Sequence, residues 1–248
     1  MSAYGPQPPR PDRPLLPSTA WHLAPAKPGK PASPFSHLTL HHLTGSAARS
    51  FDGLIDYTYS TFAAEIESGL TYPQEVAYGE KYSREAFEGY FWGADVLLAI
   101  GATEDEANAA NGATIEGGIE EARQGRSWED CLVGFYYVKP NYPGRSSHIC
   151  NAGFMITPAH RQFGYGKVLG GSYLHYGPAL GFKASVFNLV YTSNVGSLRI
   201  WDSLGFQRAG LIPRAGRLRK PDGSGEEWTD AVVFYRSFLA EDEWTQVP

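Results

Sequence analysis

Asn151-Ala-Gly-Phe-Met-Ile-Thr-Pro-Ala-His-Arg-Gln-Phe-Gly-Tyr-Gly-Lys167 is the stretch that decides the fold. Residues 149–156 are mostly apolar and have the length of a buried strand, which Pro158 stops. Gly164 and Gly166 then bracket Tyr165, and Val168, Leu169, Tyr173, Leu174 and Tyr176 follow at helical spacing. Two glycines at a helix start leave its first backbone N–H groups bare, and those groups together with the helix dipole favour an anion. Two glycine loops of other kinds are excluded. A Walker A loop would need Gly where Arg161 stands and Ser or Thr where Val168 stands, and a dinucleotide fingerprint would need Gly at Leu169. By itself the spacing also fits an ordinary glycine-rich turn before a helix.

The rest of the chain bounds the choice. Its 248 residues are 42% hydrophobic and 14% aromatic, enough for a sizeable core. A formal net charge of −5 argues against nonspecific nucleic-acid binding, which needs a basic face. No apolar run is long enough for a membrane span, and the N-terminus lacks a signal-peptide layout. Two cysteines, Cys131 and Cys150, fit a reducing compartment and the expectation of a cytoplasmic protein. Neither has a ligand partner at metal spacing, so no metal is expected.

Residues 1–35 hold more than half of the 18 prolines and are expected to form an extended, largely irregular arm, partly laid on the domain by Trp21, Leu23 and Phe35. The domain is expected over 36–240, with a tail at 241–248. His37–Thr44 fits a first strand, with His41 and His42 half-exposed on it. Helical patterns follow at 47–68, ended by Gly69, and at about 83–92. Ala94–Ile100 reads as a strand and the acidic 103–129 segment as a solvated loop. Strands are then expected at Leu132–Val138 and Ser146–Ile156, a helix at about 164–177, a strand at Val186–Tyr191 and a helix at Asn194–Leu204. Phe206–Ile212 and Thr229–Phe238 complete the chain as an antiparallel pair. Arg214, Arg217, Arg219 and Lys220, between them, belong either to a solvated hairpin tip or to a phosphate contact.

The motif Arg161-x-x-Gly164-x-Gly166, in this element order, resembles the acyl-CoA motif of the GCN5-related N-acetyltransferases (GNAT) over residues 37–238. The resemblance implies an α/β (α+β) fold. Its sheet would be central, mixed and mostly antiparallel, of about seven strands, splayed at the acetyl-CoA site and flanked by about four helices. It implies acetyl-CoA as co-substrate, held by Ile156, Arg161, Gln162, Phe163, Gly164, Tyr165, Gly166 and Lys167.

Longer strings resemble a narrower family, the fungal proline-analogue acetyltransferases that confer resistance to L-azetidine-2-carboxylate. They are Leu70-Thr-Tyr-Pro73, Tyr137-Val-Lys-Pro-Asn-Tyr142, His148-Ile-Cys-Asn-Ala-Gly-Phe154, Phe187-Asn-Leu-Val190, and Ser193-Asn194 with Ser197-Leu-Arg-Ile-Trp-Asp202. That resemblance implies a catalytic Asn151, a substrate-binding Asn188 and Leu189, and Asn194 on the CoA side. Dimers common in that family, with the aromatic content here, imply a homodimer acting on a small-molecule amine.

The chain departs from the broad superfamily at the acid. Many members place a Tyr seven residues after the helix-opening Asn; here that residue is Trp201, whose indole does not give up its proton. The thiolate then leaves unprotonated or takes a proton from water. The strand at 149–156 carries no Glu or Asp to act as base. A backbone N–H near Phe154 or Met155 is the expected donor to the thioester carbonyl, and Tyr72, Tyr78, Phe91 and Tyr142 are candidate pocket walls. Two other functions stay open: acetylation of a protein or peptide amine, with the acidic 103–129 segment as its groove, and a non-catalytic binding module.

Overall fold

Hydrophobic periodicity sets the elements, and glycine or a polar cap ends them. The computed structural model describes residues 14–26, 28–77, 80–103 and 110–245. In chain order its main elements are β1 (Thr19–His22), β2 (His37–Leu43), α1 (Gly45–Ala48), α2 (Leu54–Ser68), α3 (Arg84–Phe87) with a π-helical turn (Glu88–Trp92), β3 (Asp95–Ala102) and β4 (Ala113–Thr114). There follow α4 (Ile119–Arg123), α5 (Trp128–Cys131), β5 (Leu132–Pro140), β6 (Ile149–Ile156), α6 (Tyr165–Ala179), β7 (Ala184–Tyr191), α7 (Val195–Ser203), β8 (Gln207–Arg219) and β9 (Glu226–Ser237).

The strands form one sheet in the order β4-β1-β2-β3-β5-β6-β7-β9-β8, antiparallel except for β6 beside β7. The fold is the mixed, mostly antiparallel α/β sheet expected, with nine strands among the described residues where about seven were expected. The two additional strands are β1, from the proline-rich arm, and β4, from the acidic segment, and they pair with each other through Thr19↔Thr114 and Ala20↔Ala113. Strands this short carry no readable periodicity; only their partners define them.

Helices cover both faces. On one, α2, α3 and the π turn pack Phe62, Phe87 and Phe91 against Val96, Leu98, Phe135, Tyr137 and Met155. Phe62 lies at its centre, with its ring 5.0–5.7 Å from those of Tyr72, Tyr82, Phe87, Tyr90 and Phe91. Burying a side chain of this size contributes about 1.5–3 kcal/mol. On the other face, α6 buries Tyr165, Leu169, Tyr173 and Tyr176, about one turn apart, against Leu38, Leu40, Tyr136 and Phe187, with Trp201 of α7 beside them.

Several local expectations are corrected. The arm is not irregular throughout: β1 is hydrogen-bonded into the sheet, Ala20 is buried, and Thr19 Oγ1 meets the Tyr176 hydroxyl at 2.8 Å. The helix expected at 47–68 is broken at Gly53, which stands at φ 73° in the left-handed region. His41 and His42 are buried, not half-exposed. His41 lies between Ser18 Oγ and Thr39 Oγ1, and His42 Nε2 meets Asp95 Oδ1 at 3.0 Å. Burial lowers the His41 pKa to about 4, so its ring is neutral. The acidic segment is not only a solvated loop, because α4 and α5 bury Ile119 and Trp128. Residues 104–109 lie outside the described residues. Cys131 and Cys150 are buried and form no disulfide, and Cys150 Sγ lies 2.9 Å from the Tyr173 hydroxyl.

Candidate functional site

The site begins where two parallel strands part. β6 and β7 pair only through Ile149↔Ala184 and Cys150↔Ser185. Backbone groups alternate along a strand. The Ile149 carbonyl accepts from Asn141 N–H and Thr157 N–H donates to the Val133 carbonyl, so odd-numbered residues of β6 bond toward β5. Phe154 and Ile156 therefore turn their N–H and C=O groups to the open edge. Their carbonyls confirm it: Tyr72 Oη donates to Phe154 O at 3.3 Å and Arg161 Nε to Ile156 O at 3.3 Å. Of the two carbonyl donors expected, this alternation favours Phe154 N–H, since Met155 faces β5. Across the gap, β7 bulges between Phe187 and Val190, which lifts Asn188 and Leu189 out of its ladder with β9. Leu189 is exposed. Trp201 closes the other side of the gap, its ring 5.0 Å from Phe154 and 4.3 Å from Phe187.

The glycine turn lies at the end of β6. Gln162 and Gly164 have φ of 74° and 85°, and Gly164 is the N-cap of α6 with no side-chain hydrogen bond to the helix. The first N–H groups of α6 are thus left for a ligand, as an anion cradle requires. A Cβ on Gly166 would stand 3.1 Å from Ile200 Cδ1, which sets α7 close against this turn. The side chain of Tyr165 turns inward, its hydroxyl 2.7 Å from Ser33 Oγ and its ring stacked on Phe163 at 5.5 Å. Lys167 is exposed. Arg161 is held by Glu65 through Nη2–Oε2 at 2.8 Å, so its charge is already shared. Asn194 caps α7, accepting from Ser197 N–H at 3.0 Å. A cap of this kind is worth about 0.5–2 kcal/mol, and it leaves the Asn194 amide nitrogen as a donor.

Three asparagines meet at the mouth of the splay. Asn151 Nδ2 donates to Asn141 Oδ1 at 3.1 Å, Asn188 Nδ2 donates to the same oxygen at 2.6 Å, and Asn141 Nδ2 donates to Asn188 Oδ1 at 3.0 Å. The structure thus brings Asn151 and Asn188 together through Asn141. Asn141 stands within one of the strings that resemble the narrower family but has no role implied by that resemblance; its place in the turn after β5, before β6 returns alongside, is the signal in the sequence. With its nitrogen engaged, Asn151 keeps its Oδ1 free to accept a hydrogen bond. Beside it, Gly153 faces Tyr137 so closely that a Cβ would sit 2.6 Å from the ring. The Tyr90 and Tyr137 hydroxyls meet at 2.8 Å. Of the expected pocket walls, Tyr72 lies at the splay, Tyr142 is half-buried, Phe91 belongs wholly to the core, and Tyr78 lies outside the described residues.

The loop after α2 is strapped across this face. Tyr72 anchors it to β6, while Arg219 N–H donates to Gly69 O at 2.9 Å, Arg219 Nη1 to Glu67 O at 2.9 Å, and Arg217 pairs with Glu75 at 2.8 Å. Arg217 and Arg219 therefore hold the β8–β9 hairpin to α2 and its loop. Among the described residues no group of His, Cys, Asp and Glu could hold a metal ion, and no helix is long and apolar enough to cross a membrane.

A splayed parallel pair beside a bare helix N-terminus can seat a thioester between strands and its phosphates on the helix. Residues 114–206, which run from the end of β4 through α7, match the acetyltransferase (GNAT) family. N-acetyltransferase aca1 of Schizosaccharomyces pombe is 39% identical over 174 residues, 70% of this chain and 75% of that protein. The chain belongs to the GNAT acetyltransferases. Solved structures share the fold. A GCN5-related N-acetyltransferase from Kribbella flavida matches with a TM-score of 0.56 at 22% identity, covering 80% of this chain and 97% of that one. A phosphinothricin acetyltransferase from Sinorhizobium meliloti in complex with acetyl-CoA matches with a TM-score of 0.54 at 17% identity, covering 81% and 88%. The chain is an N-acetyltransferase.

Proposed function

We propose that this GNAT enzyme acetylates a small amino or imino acid of the proline-analogue (L-azetidine-2-carboxylate) type. The observation that carries the reading is the cluster of Asn141, Asn151 and Asn188 at the mouth of the splay. These are neutral amides, suited to hold a small polar acceptor rather than a basic peptide. The strap over the face, held by Tyr72 at one end and by Arg217 and Arg219 at the other, further limits acceptor size. The acidic segment proposed as a peptide groove places Ile119 and Trp128 in the core, which weakens the protein-amine alternative.

In this reading the acetyl-CoA phosphates lie on Gln162, Phe163, Gly164 and Gly166, with Arg161, Tyr165 and Lys167 alongside and Asn194 toward the pantetheine side. The thioester runs past Ile156, and Phe154 N–H donates to its carbonyl oxygen. Asn151 Oδ1 accepts from the acceptor N–H and aims the nitrogen lone pair at the carbonyl carbon. The new N–C bond forms as the C–S bond breaks; the nitrogen loses its proton to water, and the thiolate leaves as the anion. Trp201 donates its indole N–H to Ser197 Oγ at 2.9 Å and supplies no proton.

Calorimetric titration with acetyl-CoA, followed by thiol release with a panel of imino acids, amino acids and basic peptides, tests the assignment. Turnover of imino acids above peptides is the expected result; the reverse order would overturn it. Asn188→Ala is expected to raise the imino-acid KM roughly tenfold, on the scale of about 1.5 kcal/mol for one hydrogen bond to a charged group, with the acetyl-CoA Kd unchanged. The same reading takes the chain to be a cytoplasmic homodimer. Leu211 and Ile212 on the edge strand β8, and Trp228 on β9, are 57%, 40% and 66% exposed and offer an apolar surface for a second copy. Sedimentation is expected to show a species twice the 27.2 kDa chain mass, and a monomer at micromolar concentration counts against it.

A further inference from the structure

A cation stands at this site without a described counter-ion. Lys139 lies directly across β5–β6 from Asn151, so the two side chains rise from the same face of the sheet. Its ammonium is packed over two rings, 3.9 Å from the centroid of Tyr90 and 4.1 Å from that of Tyr137. Its hydrogen bond goes to a neutral group, the Tyr90 carbonyl, at 3.0 Å. The titratable groups packed on it are the phenols of Tyr90, from the π turn, and Tyr137, from its own strand, and Tyr72 of the strap adjoins those two. Burial pushes all three above their ordinary pKa, so none supplies a negative charge near neutral pH. The acids of the strap and the end of α2 are engaged elsewhere: Glu65 by Arg161 and Thr71, Glu67 by Lys81, and Glu75 by Arg217. Among the described residues, no carboxylate forms an ion pair with Lys139.

A half-buried ammonium held by rings and one carbonyl is a poor final state. It has lost part of its hydration and gained only cation–π contacts and a neutral acceptor. An anion arriving in the pocket beside Asn151 would supply what is missing. We propose that Lys139 is the residue that selects acceptors carrying a carboxylate, its ammonium facing that group while the Asn188 amide and the Leu189 N–H hydrogen-bond it. The inference rests on the small-acceptor reading above and narrows it to amino or imino acids as opposed to uncharged amines. Burial also holds the Lys139 pKa down at about 8, which keeps the cation present at neutral pH and removes it in mild alkali.

The test compares L-azetidine-2-carboxylate and L-proline with L-prolinamide, which lacks the anion. The parent enzyme is expected to favour the acids over the amide at least tenfold in kcat/KM. Lys139→Gln is expected to erase most of that ratio through the acid KM, with kcat within a few-fold and the acetyl-CoA Kd unchanged, whereas Lys139→Arg keeps part of it. A Lys139→Gln enzyme that retains the parent's acid-over-amide ratio overturns the proposal and leaves the acetyltransfer reading standing. Should the variants fold poorly, the parent alone decides. Its KM for the acid must rise as pH passes about 8 while that for the amide does not, and parallel KM profiles overturn the proposal. A parent that binds acetyl-CoA but acetylates neither acid nor amide overturns both readings.

Discussion

Gly164→Val is expected to abolish measurable acetyl-CoA binding, and Gly166→Val to weaken it at least a hundredfold, both with the fold retained by far-ultraviolet circular dichroism. The two glycines fail for different reasons. Gly164 holds φ 85°, and a Cβ there would meet nothing within 4 Å. Space is therefore not its constraint; conformation is. A left-handed backbone costs an L-residue about 1–2 kcal/mol, and more with a β-branched side chain. The helix can relieve that strain only by rotating the peptide that presents its first N–H groups. Gly166 has ordinary backbone, but its Cβ would stand 3.1 Å from Ile200 Cδ1. That neighbour is the end of a flexible side chain, so Gly166→Ala is expected to be mild, while the branched valine narrows the approach to the helix N-terminus. Arg161→Ala is expected to cost only a few-fold, because Arg161 is already paired with Glu65 and exposed ion pairs contribute about 0–1 kcal/mol. Isothermal titration with acetyl-CoA checks the series. Normal binding by both valine variants would place the cradle elsewhere.

What the sequence could and could not reveal follows from the range of the interactions. The β6–turn–α6 unit was legible because its signals are local: an apolar run, a proline stop, two glycines and a helical stripe. The helix starts at Ser83 and Asn194 were legible for the same reason, each side chain capping the N–H three residues on. β1 and β4 were not, because four residues and two residues owe their strand geometry to each other and to β2. The adjacent pair His41-His42 looked half-exposed because alternation on β2 should leave one side wet, yet this strand is covered on both faces and all seven of its residues are buried. At the site, Asn151 and Asn188 were named through a resemblance. Asn141 and Lys139 were passed over because their roles depend on contacts invisible along the chain. Asn141 bonds Asn188 across 47 positions, and Lys139 lies on the Tyr90 ring across 49.

The Asn151→Asp enzyme is expected to lose roughly a hundredfold or more in kcat/KM, although the substitution adds the carboxylate that a base-catalysed mechanism would want. The acceptor nitrogen must be neutral to attack. An alkyl amine of pKa near ~10 is about three units from neutrality at pH 7, a cost of roughly 4 kcal/mol. Asn151 Oδ1 can accept from the neutral N–H without favouring the charged form. An aspartate there would stabilise the ammonium and raise its pKa, deepening that cost. It would also face Lys139 across the β5–β6 pair and form the ion pair that the acceptor's own carboxylate is proposed to make. Its carboxylate, lacking N–H donors, would lose the hydrogen bond that Asn151 Nδ2 gives Asn141 Oδ1 and would set two oxygens against each other. Three effects thus push the same way, and none depends on the fold failing. The pH profile separates this mechanism from one with a hidden base. In the parent enzyme log kcat/KM should climb with a slope near one through pH 6–7, as the free amine is titrated, and bend only near pH 8, where the Lys139 cation is lost. Work with the uncharged amide should remove that bend. A plateau below pH 7, or an Asn151→Asp enzyme faster than its parent, would sink the direct-attack mechanism and assign the proton to an ionisable group near Asn151.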